Sequence, residues 1–421
     1  MSRILMLAGL LGLCALSGLR AEEPFVVHEW GVWVRQVQGP SISAEGVPVQ
    51  GQGYADIGAP KELLSGLPAF VKHYQPVPVS RVMNQNWDKP VLHLYGPEGL
   101  QCKLTLKFPQ GQPTAFWPLP ISTTEANSRG RFQVTRVTSM FWEGRLSAAA
   151  PADLPKSPEK HWWNAVRAVP GMYINTAQGS ERFLFYEGTA AQQPTLNAVL
   201  DSEVLTLKNG ADQESGPVLV VAYDGQTLWW KSVTSLAASA KLDLKRTELE
   251  QAPGDADKLL DAARAQWLAF GLTKEESAAI VESWKPDLTK HVGLMVIARL
   301  PAPLYEKMFP LEVTPKPKEI VRAGVIFDTL PGSTERMAWL PGLKAKLDGI
   351  AKDLSADEFG RRTSAKSALA AHGELISGYL MELTKSDDLE VRNAAKSLLE
   401  GLKPKQDLAP EMQEPQIRGK R

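Results

Sequence analysis

The sequence predicts a multidomain α+β protein with a β-rich, sandwich-like region over residues 25–245, a mixed α+β unit over 254–330 and a short all-α end over 336–402. Three observations carry this. The first stretch is a series of short runs rich in β-branched and aromatic residues, separated by Gly, Pro and Asn. Beyond residue 254, apolar residues recur at helical spacing behind capping residues. Near the end, a segment repeats itself after a shift of 30 residues.

The chain opens MSRILMLAGLLGLCALSGLRA, in which Arg3 precedes an apolar run from Ile4 to Leu19 and a small residue, Ala21, follows. This is the form of an export signal over residues 1–21, and it places the protein in the periplasm or outside the cell. The run is shorter than the roughly 20 residues that a spanning helix needs, so no permanent membrane span is expected. Lys and Arg total 47 and Asp and Glu total 47. A balanced surface argues against a nucleic-acid partner, whose binding rests on neutralised phosphates. Of the two cysteines, Cys14 lies in the signal, which leaves Cys102 with no partner for a disulfide and too few thiolates for a metal cluster.

The β-rich region contains FVVHEWGVWV, PVLHLYG, CKLTLKF, RFQVTRVTSMFW, GMYINT, ERFLFYEG, SEVLTLK and PVLVVAYDGQTLWW. CKLTLKF and TAFWPLP, joined by PQGQP, read as one hairpin. RLSAAAPADLPKSPEK, at 145–160, reads as an exposed loop. In the next unit Asp255 caps a helix carrying Leu259, Leu260, Ala263 and Trp267, and Gly271 stops it. Thr273 and Glu276 have the spacing of a capping box for a second helix, which Pro286 is expected to close. GLMVIARL, FPLEVTP and EIVRAGVIFDTL follow as strands. The sequence leaves open whether this unit folds alone or completes the β-rich region.

In the helical end, Asp357, Arg362, Ala365, Lys366, Ser367 and Leu369 recur as Asp387, Arg392, Ala395, Lys396, Ser397 and Leu399. A further helix, ELISGYLMEL, lies between the two copies, and such pairs stack into a short solenoid. Residues 403–421 have too few apolar groups to offset ordering entropy and are expected to be disordered. DDLEVRNAAKSLLEGL resembles one helix of a HEAT-like repeat, although the period of 30 is shorter than the roughly 40–47 residues of long HEAT units. That resemblance implies a protein partner for the C-terminal helices. The rest resembles a group of exported bacterial proteins that begin with a His-Glu-Trp-Gly strand. The matching stretches are HEWG at 28–31, KPVLHLYG at 89–96, LKFPQG at 106–111, ERFLFYEG at 181–188 and GLTKEESAAIVESW at 271–284. Val32 and Trp33 stand where that group suggests Thr and Phe. This resemblance implies a compartment but no reaction.

His28 and Glu29 are the candidate catalytic pair. They adjoin in a strand, so they point to opposite faces: His28 with Val26, Trp30, Val32 and Val34, Glu29 with Phe25, Val27 and Trp33. Packing therefore competes with chemistry, unless Gly31 marks a bulge that re-aims one of them. His28, His73, His93, His161 and His291 lack the spacing of a metal site, and no metal is expected. No nucleophile elbow, phosphate-binding loop or dinucleotide fingerprint occurs, and GQGYADIG, at 51–58, reads as a loop, so no cofactor is expected. The doublets Trp162-Trp163 and Trp229-Trp230 are candidate platforms for a glycan. In strands, such doublets also arise where both faces of a sheet are covered. The sequence thus predicts a non-catalytic exported binding or scaffolding protein acting through its helical end. The alternatives are an exported hydrolase of polysaccharide or peptide with a fold-assembled site, and a carbohydrate-binding protein using exposed Trp.

Overall fold

The computed structural model describes residues 23–36, 67–73, 86–129, 132–190, 195–201, 204–224, 227–251, 256–330, 339–372 and 376–402. The stretches read as an export signal, the Asp255 cap, the GQGYADIG loop and a disordered tail over 403–421 lie outside these residues. The described chain is mixed α+β, with several sheets in its first three quarters and helices at its C-terminal end.

A ten-stranded sheet dominates. Its middle is β1 (Val26–Gln36), flanked by β3 (Asn86–Tyr95) on one side and β19 (Glu319–Leu330) on the other. β1 runs antiparallel to β3 and parallel to β19. Beyond β3 come β10 (Phe183–Thr189), β5 (Pro113–Trp117) and the short β2 (Lys72–His73). Beyond β19 come β17 (Gly293–Arg299), β13 (Val218–Tyr223), β14 (Leu228–Val233) and β16 (Glu250–Gln251). Strands from both sides of residue 254 therefore share one hydrogen-bonded sheet. The central strands read as nearly continuous apolar runs because both faces are covered.

One face meets helices α1 (Trp163–Ala168), α2 (Asp257–Ala269) and α3 (Lys274–Lys290). There Trp30, Val32, Val91, Phe185 and Phe327 pack with Trp163, Trp267, Ile280 and Trp284. The β1 half of the other face packs on a six-stranded sheet: β4 (Gln101–Lys107), β6 (Ile121–Arg129), β7 (Phe132–Ser147), β8 (Tyr173–Thr176), β9 (Gly179–Glu181) and β18 (Leu311–Thr314). Helix α4 (Ala302–Met308) joins that core through Tyr305 and Met308.

The β13 half of the same face packs on β11 (Leu196–Asp201), β12 (Val204–Asn209) and β15 (Lys241–Lys245). The same core takes in residues of α5 (Pro341–Lys352), α6 (Phe359–Ala370), α7 (Ser377–Leu383) and α8 (Leu389–Leu402). The helical end thus shares its interior with the large sheet: Leu343, Leu347 and Leu369 lie in one cluster with Val220 and Val296. Its two repeat copies start alike, with helices beginning at 359 and 389 and with Ala365 and Ala395 both buried.

Two local expectations are corrected. CKLTLKF and TAFWPLP do not form a hairpin: β4 pairs with β7 and β18, while β5 pairs with β10 and β2. The intervening turn is tied to the end of β10, where the Thr189 N–H donates to the Gln112 carbonyl at 2.9 Å. A Cβ on Gly111 would stand 1.5 Å from the Thr189 carbonyl oxygen, so only glycine permits the chain to cross between layers there. Nor does Pro286 close its helix, since α3 runs on to Lys290. Pro286 and Glu282, whose carbonyl loses its N–H partner, are both exposed, on the side of the helix that faces solvent. Buried Trp284 and Leu288 on either side hold the helix down.

Candidate functional site

Three groups of buried polar side chains lie around β1 and β3. β1 places His28 on the helix-covered face and Glu29 on the other, as the alternation of a strand requires. Each has its own protein partners. A bulge is present, because between Trp30 and Val32 of β1 a single residue, Gly31, faces Lys89 and Pro90 of β3. It does not bring His28 and Glu29 together.

His28 donates from Nδ1 to Oε2 of Glu276 at 2.8 Å. Glu276 is the third residue of α3 and also closes the predicted capping box: the Glu276 N–H donates to Thr273 Oγ1, and the Thr273 N–H donates to Glu276 Oε2. Tyr95 donates its hydroxyl to Oε1 at 2.9 Å. Burial pushes the Glu276 carboxyl up, but the His28 bond, the nearby imidazoles and the Thr273 N–H outweigh it and hold the group below the ordinary glutamate value. His93 donates from Nε2 to the Val166 carbonyl of α1 at 3.3 Å. Burial, against the pull of Glu276 and that carbonyl, lowers His93 to about 4, so its ring is neutral at pH 7. The arrangement anchors β1 and β3 to the first turn of α3 and leaves Glu276 no lone pair aimed at solvent, since it is fully buried.

On the opposite face Glu29 accepts from Tyr186 at 2.6 Å and from Nε of Arg322 at 2.6 Å. Arg322 also pairs with Glu306, and its guanidinium lies 4.0 Å over the ring of Tyr305. Burial raises the Tyr186 hydroxyl well above its ordinary value, and the adjacent Glu29 carboxylate raises it further. This is a buried ion pair with a phenol as third partner.

A third group lies at the bulge itself. Lys89 has a backbone φ of 50°, a conformation a lysine adopts only where its surroundings enforce it. Its ammonium reaches the Ser283 carbonyl at 3.2 Å and lies 4.0 Å over the Trp284 ring and 5.3 Å over that of Trp162. Around it stand Asp88, Glu187 and Asp287. Burial raises Asp88 to about 7, with Lys89 opposing and Asp287 adding to the rise. Glu187 is raised to about 8 by burial and by Asp88, and Asp287 to about 6 by burial against Lys89. Burial lowers Lys89 in spite of the three carboxyls. Carboxyls that titrate near neutrality are the equipment of acid–base chemistry. Asp88 and Lys89 nevertheless lie closed off, at 4% and 2% exposure, beneath the helix-side aromatics.

The candidate platform residues Trp162, Trp163, Trp229 and Trp230 are all buried. Trp229 and Trp230 point to opposite faces of the large sheet, into two different cores. Trp162 and Trp163 are not in a strand but at the start of α1, where both pack against Phe185. Cys102 is buried, and burial raises its thiol to about 12. Among the described residues no three His, Cys, Asp or Glu side chains gather as a metal-binding group. No helix among them is long and apolar enough to cross a membrane.

Sequence reasoning singled out His28 and Glu29 but missed Glu276 as the partner of His28, and missed Asp88, Lys89, Glu187 and Asp287 entirely. One signal was available. HEWG, KPVLHLYG, ERFLFYEG and GLTKEESAAIVESW each contribute a residue to these three groups. No family model matches the chain, and no curated protein matches it.

Proposed function

We propose that this is an exported, non-catalytic binding or scaffolding protein that meets a protein partner through its helical end. One observation carries the reading. Phe359 and Leu389, 75% and 60% exposed, are the two most exposed large apolar residues of the described chain, and they stand at equivalent positions of the repeat, each opening its helix. Single exposed apolar residues are ordinary, but two at matching positions of a repeat are what the partner-facing edge of a helical array would present. Met381 of the intervening α7 is 46% exposed and adds to the apolar surface. His28 and Glu29 of β1, by contrast, are both engaged by side chains of the fold, which favours architecture over an exported hydrolase that uses them. The burial of the four tryptophans likewise disfavours a sugar-stacking surface.

Removing the helices is a poor test, because they share a core with β13, β14 and β17. The double substitution Phe359→Glu and Leu389→Glu alters only exposed positions. Quantitative cross-linking in the envelope fraction should show the partners of the wild type lost from the variant, with the melting temperature unchanged. An identical cross-link profile in both proteins would remove the helical end from the reading.

A further inference from the structure

A cleft of about 610 Å³ opens where the large sheet loses a strand partner. β17 ends at Arg299, and its last backbone bond to β19 runs from the Leu300 N–H to the Gly324 carbonyl. β19 begins five residues earlier, at Glu319, and over that stretch it is paired only with β1. Backbone groups of alternate strand residues point to alternate sides, so those of Ile320 and Arg322 face the same way as those of Gly324, toward the cleft. Pro301 follows Leu300 and has no N–H to extend the ladder. The cleft therefore presents an open strand edge beside an apolar lining of Phe270, Leu311, Ile320 and Val321. Ile320 is itself 39% exposed.

Charge sets the character of the occupant. Two arginines line the cleft. Arg322 is already matched by Glu29 and Glu306. Arg299 lies 4.9 Å over the ring of Phe270 and has no carboxylate partner among the described residues. Burial disfavours its charge. A half-buried guanidinium with no carboxylate partner among the described residues, next to a strand edge that β17 does not cover, fits a ligand that is both extended and anionic.

We propose that this cleft binds an extended peptide segment as an added strand along β19, with a peptide carboxylate held by Arg299. The added strand supplies acceptors and donors for Ile320 and Arg322, its apolar side chains lie against Ile320 and Phe270, and its carboxylate completes the Arg299 pair. The site is distinct from the Phe359 and Leu389 pair and does not depend on it.

The test uses the full chain and a fluorescein-labelled hexapeptide, Thr-Val-Thr-Val-Thr-Glu, read by anisotropy against a twin ending in a Gln amide. The acidic peptide should bind at least tenfold more tightly than its twin. Arg299→Gln should erase that preference. Ile320→Pro, which removes an N–H facing the cleft and none facing β1, should weaken both peptides about tenfold. Equal binding of the two peptides, no binding of either, or a preference that survives Arg299→Gln overturns the proposal. Full competition by acetate at concentrations equal to those of the acidic peptide overturns the strand-addition part, because it shows an anion site alone. Should Ile320→Pro fail to fold, the Arg299→Gln comparison still decides.

Discussion

Replacing Asp88 by Asn should change how the stability of this protein depends on pH more than it changes stability itself. The carboxyl is buried beside Lys89, and burial raises it from 3.8 to about 7. A carboxyl raised on folding stabilises the native state fully below its unfolded value. That contribution is lost as pH rises toward the folded value, because the native state must then either hold its proton or bury a charge. At roughly 1.4 kcal/mol per tenfold change in proton affinity, the rise corresponds to about 4 kcal/mol between pH 4 and pH 8. Glu187 and Asp287 titrate in the same group, and their interaction with Asp88 and Lys89 reduces the part that Asp88 shows alone, to about 2–4 kcal/mol. Asn cannot ionise, so the variant lacks this loss. Urea unfolding of both proteins from pH 4 to pH 8, followed by Trp fluorescence, should show the variant gaining on the wild type as pH rises, with most of the gain between pH 4 and pH 7. Two curves that stay parallel within about 0.5 kcal/mol would refute the buried-carboxyl argument, because the constant cost of the amide is the same at every pH.

Glu276→Ala removes the acceptor of His28, Tyr95 and the Thr273 N–H at once, and should cost about 3–5 kcal/mol in the same assay. A loss below about 1 kcal/mol would mean that the His28 anchor is dispensable. Gly31→Ala places a methyl 2.8 Å from the Trp87 ring and 2.9 Å from Pro90 at the bulge. Overpacking of that kind typically costs about 1–3 kcal/mol, so the melting temperature should fall, and an unchanged one would show that the bulge has room to spare.

Much of the fold was legible in the chain. The strand runs, the Thr273 and Glu276 capping box, the Gly271 stop at a φ of 94° and the repeated helix starts all appear where local pattern places them. The opposite orientation of His28 and Glu29 follows from period two alone, and so does the division of Trp229 and Trp230 between two cores. These features depend on neighbours within a few residues, which is the range over which backbone conformation and side-chain direction are set.

Partners across the chain were not legible. CKLTLKF alternates in a way that suits any half-buried sheet, so nothing local told it to join β7 and not the adjacent TAFWPLP. Pro286 reads as a helix stop until Trp284 and Leu288 are seen to be buried against the sheet. Lys89, just ahead of the run PVLHLYG, becomes a strained and enclosed cation only because Gly31 stands opposite two residues of β3 and α3 closes over the bulge. The sequence by itself determined the local elements, their faces and the repeat. The tertiary structure alone decided which strands became neighbours, and hence which charges share the interior and where β19 is left without a partner, because burial and hydrogen-bond pairing between distant segments are properties of the assembled sheet.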